Sequence, residues 1–314
     1  MNFSMALKRV AVVLLPLSVW GLALALAPCF TAMAAPTAYQ IPNTFVHEVP
    51  SKGTNRAYQV WVDLPASYAS GNKQYPVVFV TDPQYAFTLV HGIRHLLGRR
   101  GQNIEDFILV GLALPANEDA SESRSRDYTP TNALKNPKRR ADQYGANVYG
   151  EAQAYRHYVE SEVFPLIASQ YRADMSRKVF IGHSYGALWG ATTLLSKPDM
   201  FQAYILGSPS FWFDDKVIFR LEQHYATNHK DLKAQVLLFA GSFETPGPGP
   251  RHYKDTDLVG DMQRFKDVLK RRQYPSLQLK GDVVQGEDHF TVYTAVVGRG
   301  LLKILPGYGP YISG

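Results

Sequence analysis

A serine set between two glycines, where a buried strand gives way to a helix, constrains this chain more than any other feature. The stretch from Val179 to Gly190 reads VFIGHSYGALWG. Its first residues favour a buried strand, and the apolar run after Gly186 favours a helix. Glycine on both sides of Ser184 indicates a turn so tight that flanking side chains would collide with backbone. This is the G-x-S-x-G pattern of a nucleophile elbow, in the strand–turn–helix context that such an elbow requires.

Apolar patterns elsewhere in the chain predict an α/β protein. Continuous apolar runs that end in turn residues are typical of parallel strands buried on both faces, and apolar stripes three to four residues apart are typical of covering helices. We predict strands at 56–65, 75–82, 107–114, 178–182, 203–209, 234–242 and 277–286, and helices at 155–171, 185–196, 215–225, 258–271 and from about residue 290. This alternation indicates a mostly parallel central sheet with helices on both faces. Ligands of such sheets bind beyond the carboxyl ends of the strands, so the residues that follow each strand are candidates for function.

The first 34 residues have the layout of a secretory signal peptide. Two basic residues precede a long apolar run, and Ala32 and Ala34 supply the small residues of a cleavage site. We therefore expect an exported, periplasmic protein whose single domain spans residues 35–314 and which keeps no stable membrane anchor. An uncleaved anchor and a lipoprotein modified at Cys29 are the alternatives. Cys29 is the only cysteine, so cleavage would leave no thiol and no disulfide.

The composition is that of a folded globular chain. Hydrophobic residues make up 46% and charged residues 19% of the sequence, as in proteins with a packed core. The net charge of +6 makes the chain only mildly basic. The basic run KNPKRR at residues 135–140 is typical of a solvated loop. We expect no nucleic-acid partner.

A serine hydroxyl needs a base before it can act as a nucleophile. His289 follows the last predicted strand in the sequence GEDHF, where an elbow of this kind finds its histidine. The partner acid should follow the preceding strand, and Glu244 stands there in LLFAGSFE, with Asp288 as the rival carboxylate. The acid would hold the imidazole in the tautomer that accepts the serine proton. No metal and no organic cofactor is expected, because acyl transfer by this route needs neither.

Two backbone N–H groups are expected to bind the oxyanion that forms when the serine attacks a carbonyl carbon. One belongs to Tyr185, directly after the serine. The other should come from the loop after the strand at 75–82, where Gln84 and Tyr85 are the candidates. Pro83 is excluded because proline has no N–H.

These motifs resemble the esterase family of α/β-hydrolases that includes esterase D-like enzymes, feruloyl esterases, mycolyltransferases and siderophore esterases. The resemblance spans residues 45–300 and rests on YPVVFVTDPQYAF, VGLALP, SRSRDYTPT, the elbow, GSPSFWFDD and GEDHFT. The combination is most similar to the periplasmic trilactone-siderophore esterases that act on enterobactin and salmochelin. It implies the α/β-hydrolase fold, with Ser184 as nucleophile, His289 as base, Glu244 at the acid position and Gln84 as oxyanion donor.

Two positions depart from the family pattern. The family usually has glycine where this chain has Pro83, and a further glycine where it has Ala187. In some siderophore esterases the catalytic site is similar to a Ser–His dyad, with the acid weak or misplaced. Whether Glu244 completes a triad is therefore left open at this point.

The resemblance implies a small-molecule ester substrate, and we predict a ferric catecholate trilactone siderophore such as enterobactin. Arg124 and Arg126 would pair with such an anion, and Tyr85 and Trp212 would stack on its aryl rings. We expect the substrate pocket to be lined by residues 117–150 and by the segments PSFWFD and ETPGPGPRHYK. The further basic residues of these segments are Lys135, Lys138, Arg139, Arg140, Arg251 and Lys254. The alternative for the arginines is that the RDYTPT segment is a structural brace. For the whole protein, the alternatives are a general carboxylesterase on short acyl or aryl esters and a non-catalytic siderophore-binding protein.

Overall fold

Strands and helices alternate along the chain. A computed structural model describes residues 36–135 and 148–313. The strands are β1 (Thr44–Ser51), β2 (Arg56–Asp63), β3 (Tyr75–Thr81), β4 (Ile108–Leu112), β5 (Ala173–His183), β6 (Ala203–Gly207), β7 (Ala234–Gly241) and β8 (Leu277–Val284). The helices are α1 (Pro83–Gly98), α2 (Ala120–Tyr128), α3 (Ala152–Tyr158), α4 (Phe164–Gln170), α5 (Tyr185–Ser196), α6 (Phe213–Asn228), α7 (Leu258–Arg272) and α8 (Val292–Ile304).

The strands form one sheet in the order β1-β2-β4-β3-β5-β6-β7-β8. β1 and β2 pair antiparallel with each other and β2 antiparallel with β4, whereas every pair from β4 to β8 is parallel. The carboxyl ends of β3, β5, β6, β7 and β8 therefore meet at one edge of the sheet. This confirms the predicted α/β-hydrolase fold with a mostly parallel sheet.

Alternate residues of the central strands face two separate apolar layers. On β3, Val78 and Val80 belong to a layer that includes side chains of α1 and α8. Val77 and Phe79 belong to the larger layer, which includes α3, α5, α6 and α7. This alternation follows from the two-residue period of a strand, and it explains why the central strands read as continuous apolar runs. Helices cover both faces, as predicted.

Several features of the fold go beyond the sequence prediction. β1, α1 and α2 were not among the predicted elements, and α2 lies in a polar segment. The nine residues of α2, ASESRSRDY, carry no apolar stripe; the helix is capped by Asp119, whose side chain accepts a hydrogen bond from the N–H of Glu122. The helix predicted at 155–171 is interrupted by a π turn at Val159–Val163. A wider turn of this kind shifts the later part of the helix relative to the apolar stripe.

The described residues from Ile41 onward form one compact unit. The signal peptide predicted for residues 1–34 lies outside the described residues and stays a prediction. Within the described ranges, residues 36–135 and 148–313, no helix is both long enough and apolar enough to cross a bilayer.

Candidate active site

The elbow around Ser184 is shaped by two close approaches, one to backbone and one to the side chain of Thr81. A Cβ atom at Gly182 would lie 2.5 Å from the carbonyl oxygen of Gly186, and one at Gly186 would lie 2.2 Å from Thr81 Oγ1. Both distances are far inside van der Waals contact, so only glycine fits at either position. Ser184 itself has φ 56° and ψ −118°, a strained conformation for a residue with a side chain. The strain is typical of a nucleophile held at the top of a strand.

Hydrogen bonds from neighbouring elements fix Ser184 in this position. Its N–H donates to the carbonyl of Gly207 at the end of β6 (3.0 Å), and its carbonyl accepts from the N–H of Leu188 in α5 (3.0 Å). Its Oγ lies 3.2 Å from the Oγ of Ser210, and among the hydrogen bonds of the described residues it makes none to His289. The hydroxyl is therefore held by the loop after β6 in this state.

His289 and Glu244 form a hydrogen-bonded pair beside the elbow. The Nδ1 atom of His289 lies 2.5 Å from Glu244 Oε1. Glu244 is completely buried, and its Oε2 accepts hydrogen bonds of 2.6 Å from Ser208 Oγ and from the Gly241 N–H. A buried carboxylate with every oxygen hydrogen-bonded can hold an imidazole in one orientation. The bond at Nδ1 leaves Nε2 as the nitrogen able to accept a proton.

Asp288, the rival acid, is engaged elsewhere. Its Oδ1 accepts from the N–H groups of Phe290 and Thr291, and its Oδ2 accepts from Arg251 Nε at 2.6 Å. Partial burial opposes the charge on this carboxylate, but the Thr291 N–H and the Arg251 guanidinium outweigh it and lower the pKa of Asp288 to about 2. Asp288 thus stabilises the start of α8 and the loop that carries His289.

Two helix N-termini carry the N–H groups that we predict to bind an oxyanion. α5 begins at Tyr185 and α1 at Pro83, and they follow the adjacent strands β5 and β3. The N–H of Tyr85 donates to the Asp82 carbonyl (3.3 Å), which favours Gln84 as the second donor. Pro83 is accommodated because it stands in the first turn of a helix, where no N–H is needed. Neighbouring helix N-termini of this kind suit a developing negative charge.

Arg124 joins the loop after β3 to the elbow. Its guanidinium binds both carboxylate oxygens of Asp82, at 2.8 and 3.2 Å, and donates to the carbonyl of His183 at 3.3 Å. It also lies over the ring of Tyr185, 5.3 Å from the centroid. Burial disfavours the charge on Arg124, but Asp82 outweighs that effect and raises the pKa of the guanidinium. Arg124 thus braces the start of α1 against the elbow, the two segments that carry the proposed oxyanion donors Gln84 and Tyr185.

Arg126 lies away from the nucleophile. It is buried, and it binds Asp127 (2.8 Å) and Glu118 (2.6 Å). The Asp127 carboxylate also accepts a hydrogen bond from Tyr58 of β2. These contacts fit the brace alternative for the RDYTPT segment, and the structure does not bring Arg126 to the site. The predicted pocket residues Lys138, Arg139 and Arg140 lie outside the described residues.

Aromatic side chains lie on the segments next to the elbow and the base. Tyr85 is 45% exposed, and its hydroxyl donates to Asp82. Trp212 is half-buried, with its ring 5.8 Å from that of Tyr185. Phe290, to which the sequence analysis assigned no role, is 85% exposed directly after His289. Its place next to the predicted base was the available signal. Tyr85 and Phe290 thus expose aromatic surface on segments that flank the elbow and the base.

Ser208, Ser210 and His183 also received no role from the sequence. The two serines follow β6 at the carboxyl edge of the sheet, which is the only sequence signal they carry. His183 is buried, with its ring centroid 4.5 Å from that of His289. Within the described ranges, no cluster of three His, Cys, Asp or Glu side chains is arranged to hold a metal ion.

A serine on a tight elbow, with a histidine–carboxylate pair packed against the same elbow at the carboxyl edge of a parallel sheet, defines the α/β-hydrolase class. A family model described as "Putative esterase" matches residues 51–289. The chain belongs to this family and is an esterase.

Individual relatives are siderophore esterases by name. The ferri-bacillibactin esterase BesA of Bacillus subtilis is 29% identical over 283 residues, covering 88% of this chain and 94% of the relative. The siderophore triacetylfusarinine C esterase of Aspergillus fumigatus is 23% identical, covering 89% and 99%. The crystal structure of the BES protein from Bacillus cereus superposes with a TM-score of 0.74 at 24% identity, covering 86% of this chain and 99% of that one. This last likeness supports the fold.

Proposed function

We propose that this protein is an exported serine esterase that opens the ester bonds of a ferric catecholate trilactone siderophore through an acyl-enzyme. The observation that carries the proposal is the His289–Glu244 pair, held at the carboxyl edge of the sheet beside the Ser184 elbow. This arrangement provides a nucleophile, a base and a fixed tautomer in one place.

In the first half of the reaction, Ser184 Oγ attacks the ester carbonyl carbon while Nε2 of His289 takes the hydroxyl proton. The oxyanion accepts hydrogen bonds from the N–H groups of Tyr185 and Gln84. The C–O bond to the alcohol then breaks, and His289 returns the proton to the leaving oxygen. Glu244 keeps Nδ1–H hydrogen-bonded and stabilises the imidazolium.

In the second half, water attacks the acyl carbon and gives a proton to His289. The bond between the acyl carbon and Ser184 Oγ breaks, and the proton passes to Oγ. The products are a carboxylic acid and free enzyme, so each ester bond consumes one water.

Two observations support the proposed substrate class: the names of the relatives, and the aromatic side chains next to the elbow and the base. Two relatives that cover most of this chain are named as esterases of siderophores. Tyr85 and Phe290 offer exposed faces on which catechol rings could stack, and Trp212 packs against Tyr185 at the start of α5. Arg251 lies beside the His289 loop with its side chain 44% exposed, but its charge is balanced by Asp288.

The proposal is tested by mass-spectrometric product analysis. The purified protein and its Ser184→Ala variant are incubated with a ferric trilactone catecholate siderophore and, in parallel, with p-nitrophenyl butyrate. Ser196→Ala is the matched control, because Ser196 is an exposed serine in the helix that begins after the elbow. We expect the protein and Ser196→Ala to cleave both esters. Ser184→Ala should cleave neither.

Other outcomes select the alternatives. Cleavage of p-nitrophenyl butyrate alone would make the protein a general carboxylesterase with the same mechanism. Siderophore binding without cleavage of either ester would make it a binding protein. Export is tested separately, by finding the protein in the periplasm with Ala35 at its amino terminus.

A further inference from the structure

The loop after β6 places a second serine hydroxyl against the nucleophile. Ser210 Oγ lies 3.2 Å from Ser184 Oγ, and the Ser210 N–H donates to the Ser184 carbonyl, also at 3.2 Å. Ser210 is only 1% exposed. The same loop reaches the acid, since Ser208 Oγ donates to Glu244 Oε2. One short segment with Pro209 at its centre therefore contacts the nucleophile at one end and the acid at the other.

The contact between the two hydroxyls is a stable part of the site. A buried hydroxyl is costly unless it has a hydrogen-bond partner, and the partner that the structure gives Ser210 Oγ is the nucleophile. The segment itself is held firmly, because the Ser208 N–H donates to the Phe239 carbonyl (2.7 Å) and the Phe213 N–H donates to the Ser210 carbonyl (3.1 Å). The Ser210 hydroxyl thus stays next to Ser184 Oγ while chemistry proceeds there.

In the free enzyme either hydroxyl can be the donor, but in the acyl-enzyme only one can. Once Ser184 is acylated, its Oγ is an ester oxygen without a proton, so the Ser210 hydroxyl must donate. During deacylation, the bond from Oγ to the acyl carbon breaks and its electron pair moves onto Oγ. A hydrogen bond to an oxygen that gains negative charge strengthens as the charge develops.

We propose that Ser210 is a further catalytic residue, whose hydroxyl stabilises Ser184 Oγ as the leaving group of deacylation. The inference rests on the proposed acyl-enzyme mechanism. Ser210 keeps its own proton throughout; the proton that reaches Oγ comes from His289. With an aryl ester, acylation expels an activated phenolate, so the contribution of Ser210 should appear mainly in the second half of the reaction.

The test compares Ser210→Ala, Ser210→Thr and Ser208→Ala with the parent protein on p-nitrophenyl butyrate. Steady-state rates give kcat and KM, and rapid-quench intact-mass measurement follows the decay of the butyryl adduct. Ser210→Ala should decay about three- to tenfold more slowly, the rate equivalent of one neutral hydrogen bond. Its kcat and KM should fall together, leaving kcat/KM within about twofold. Ser210→Thr, which keeps the hydroxyl, should restore the decay.

Ser208→Ala is the control for an indirect effect. It loses a bond to Glu244, so it acts through His289 and should slow acylation and deacylation alike. Titration of the active serine with a fluorophosphonate corrects every rate for misfolded protein. An unchanged adduct lifetime in Ser210→Ala, an equal loss of kcat/KM and kcat, or no recovery in Ser210→Thr would overturn the inference. Hydrolysis by Ser184→Ala would instead overturn the proposed mechanism.

Discussion

The rings of His183 and His289 lie against each other, with centroids 4.5 Å apart and planes tilted by 40°. Burial, with smaller contributions from His289 and Arg124, lowers the pKa of His183 well below its ordinary value of 6.5. His183 therefore stays neutral at neutral pH. Its neutral ring packs against the ring of His289 and does not act as a second base.

The neutral state of His183 predicts a pH dependence of stability. Below pH 6.5 the unfolded chain protonates this ring and the folded chain does not, so the free energy of unfolding falls as the pH drops. One such proton contributes a slope of up to about 1.4 kcal/mol per pH unit. His183→Leu should remove that part of the slope in urea unfolding between pH 7 and 5, whereas His224→Leu, at an exposed histidine, should not. Equal slopes in the parent and His183→Leu would contradict the prediction.

Glu244 should be essential and Asp288 should not. Glu244→Gln keeps the shape of the side chain but can present its amide N–H₂ to His289, which favours the wrong tautomer. We expect kcat to fall about 10²- to 10⁴-fold. Asp288→Asn loses the ion pair with Arg251 at the surface and should cost less than about tenfold. Rates on p-nitrophenyl butyrate measure both effects, and a loss below about tenfold in both variants would favour a dyad.

Arg124 should behave as a brace rather than as a substrate anchor. Arg124→Met leaves the buried Asp82 carboxylate without its cation, and we expect a loss of about 2–4 kcal/mol in the free energy of unfolding. Asp82→Asn in the same chain should recover part of that loss. If Arg124 acts by holding the start of α1 against the elbow, its loss should lower kcat/KM by similar factors for the neutral butyrate ester and the anionic siderophore. A rise in KM confined to the siderophore would indicate direct binding instead.

Phe290 should contribute to recognition of aryl substrates. Its ring is almost fully exposed next to the base, so Phe290→Ala removes a stacking face without opening the core. We expect KM for the siderophore to rise about three- to tenfold, since one aromatic contact is worth about 0.5–1.5 kcal/mol. KM for p-nitrophenyl butyrate reports the alternative: an equal rise there would indicate a general apolar contact. Phe290→Tyr, which keeps the ring, is the matched control.

Sequence analysis reached the central part of the fold because the signals there are local. The strands near Val78, Ile181 and Leu237 are apolar on both faces, as only buried parallel strands are. α2 was missed because its stability comes from an N-cap and from ion pairs made by Arg124 and Arg126, not from an apolar stripe. β1 was missed because it is an edge strand with most residues partly exposed.

The sequence by itself determined the elbow, because the requirement for glycine at positions 182 and 186 arises within a few residues of Ser184 and at the strand end beside it. It also placed His289 and Glu244 after the right strands. Only the tertiary structure decided that Glu244, 45 residues away, faces the imidazole while the adjacent Asp288 turns to Arg251. The physical reason is that the direction of a side chain beyond a strand end depends on sheet order, on register and on which buried polar groups must be satisfied. For the same reason, the contact of Ser210 with the nucleophile became visible only in the folded chain.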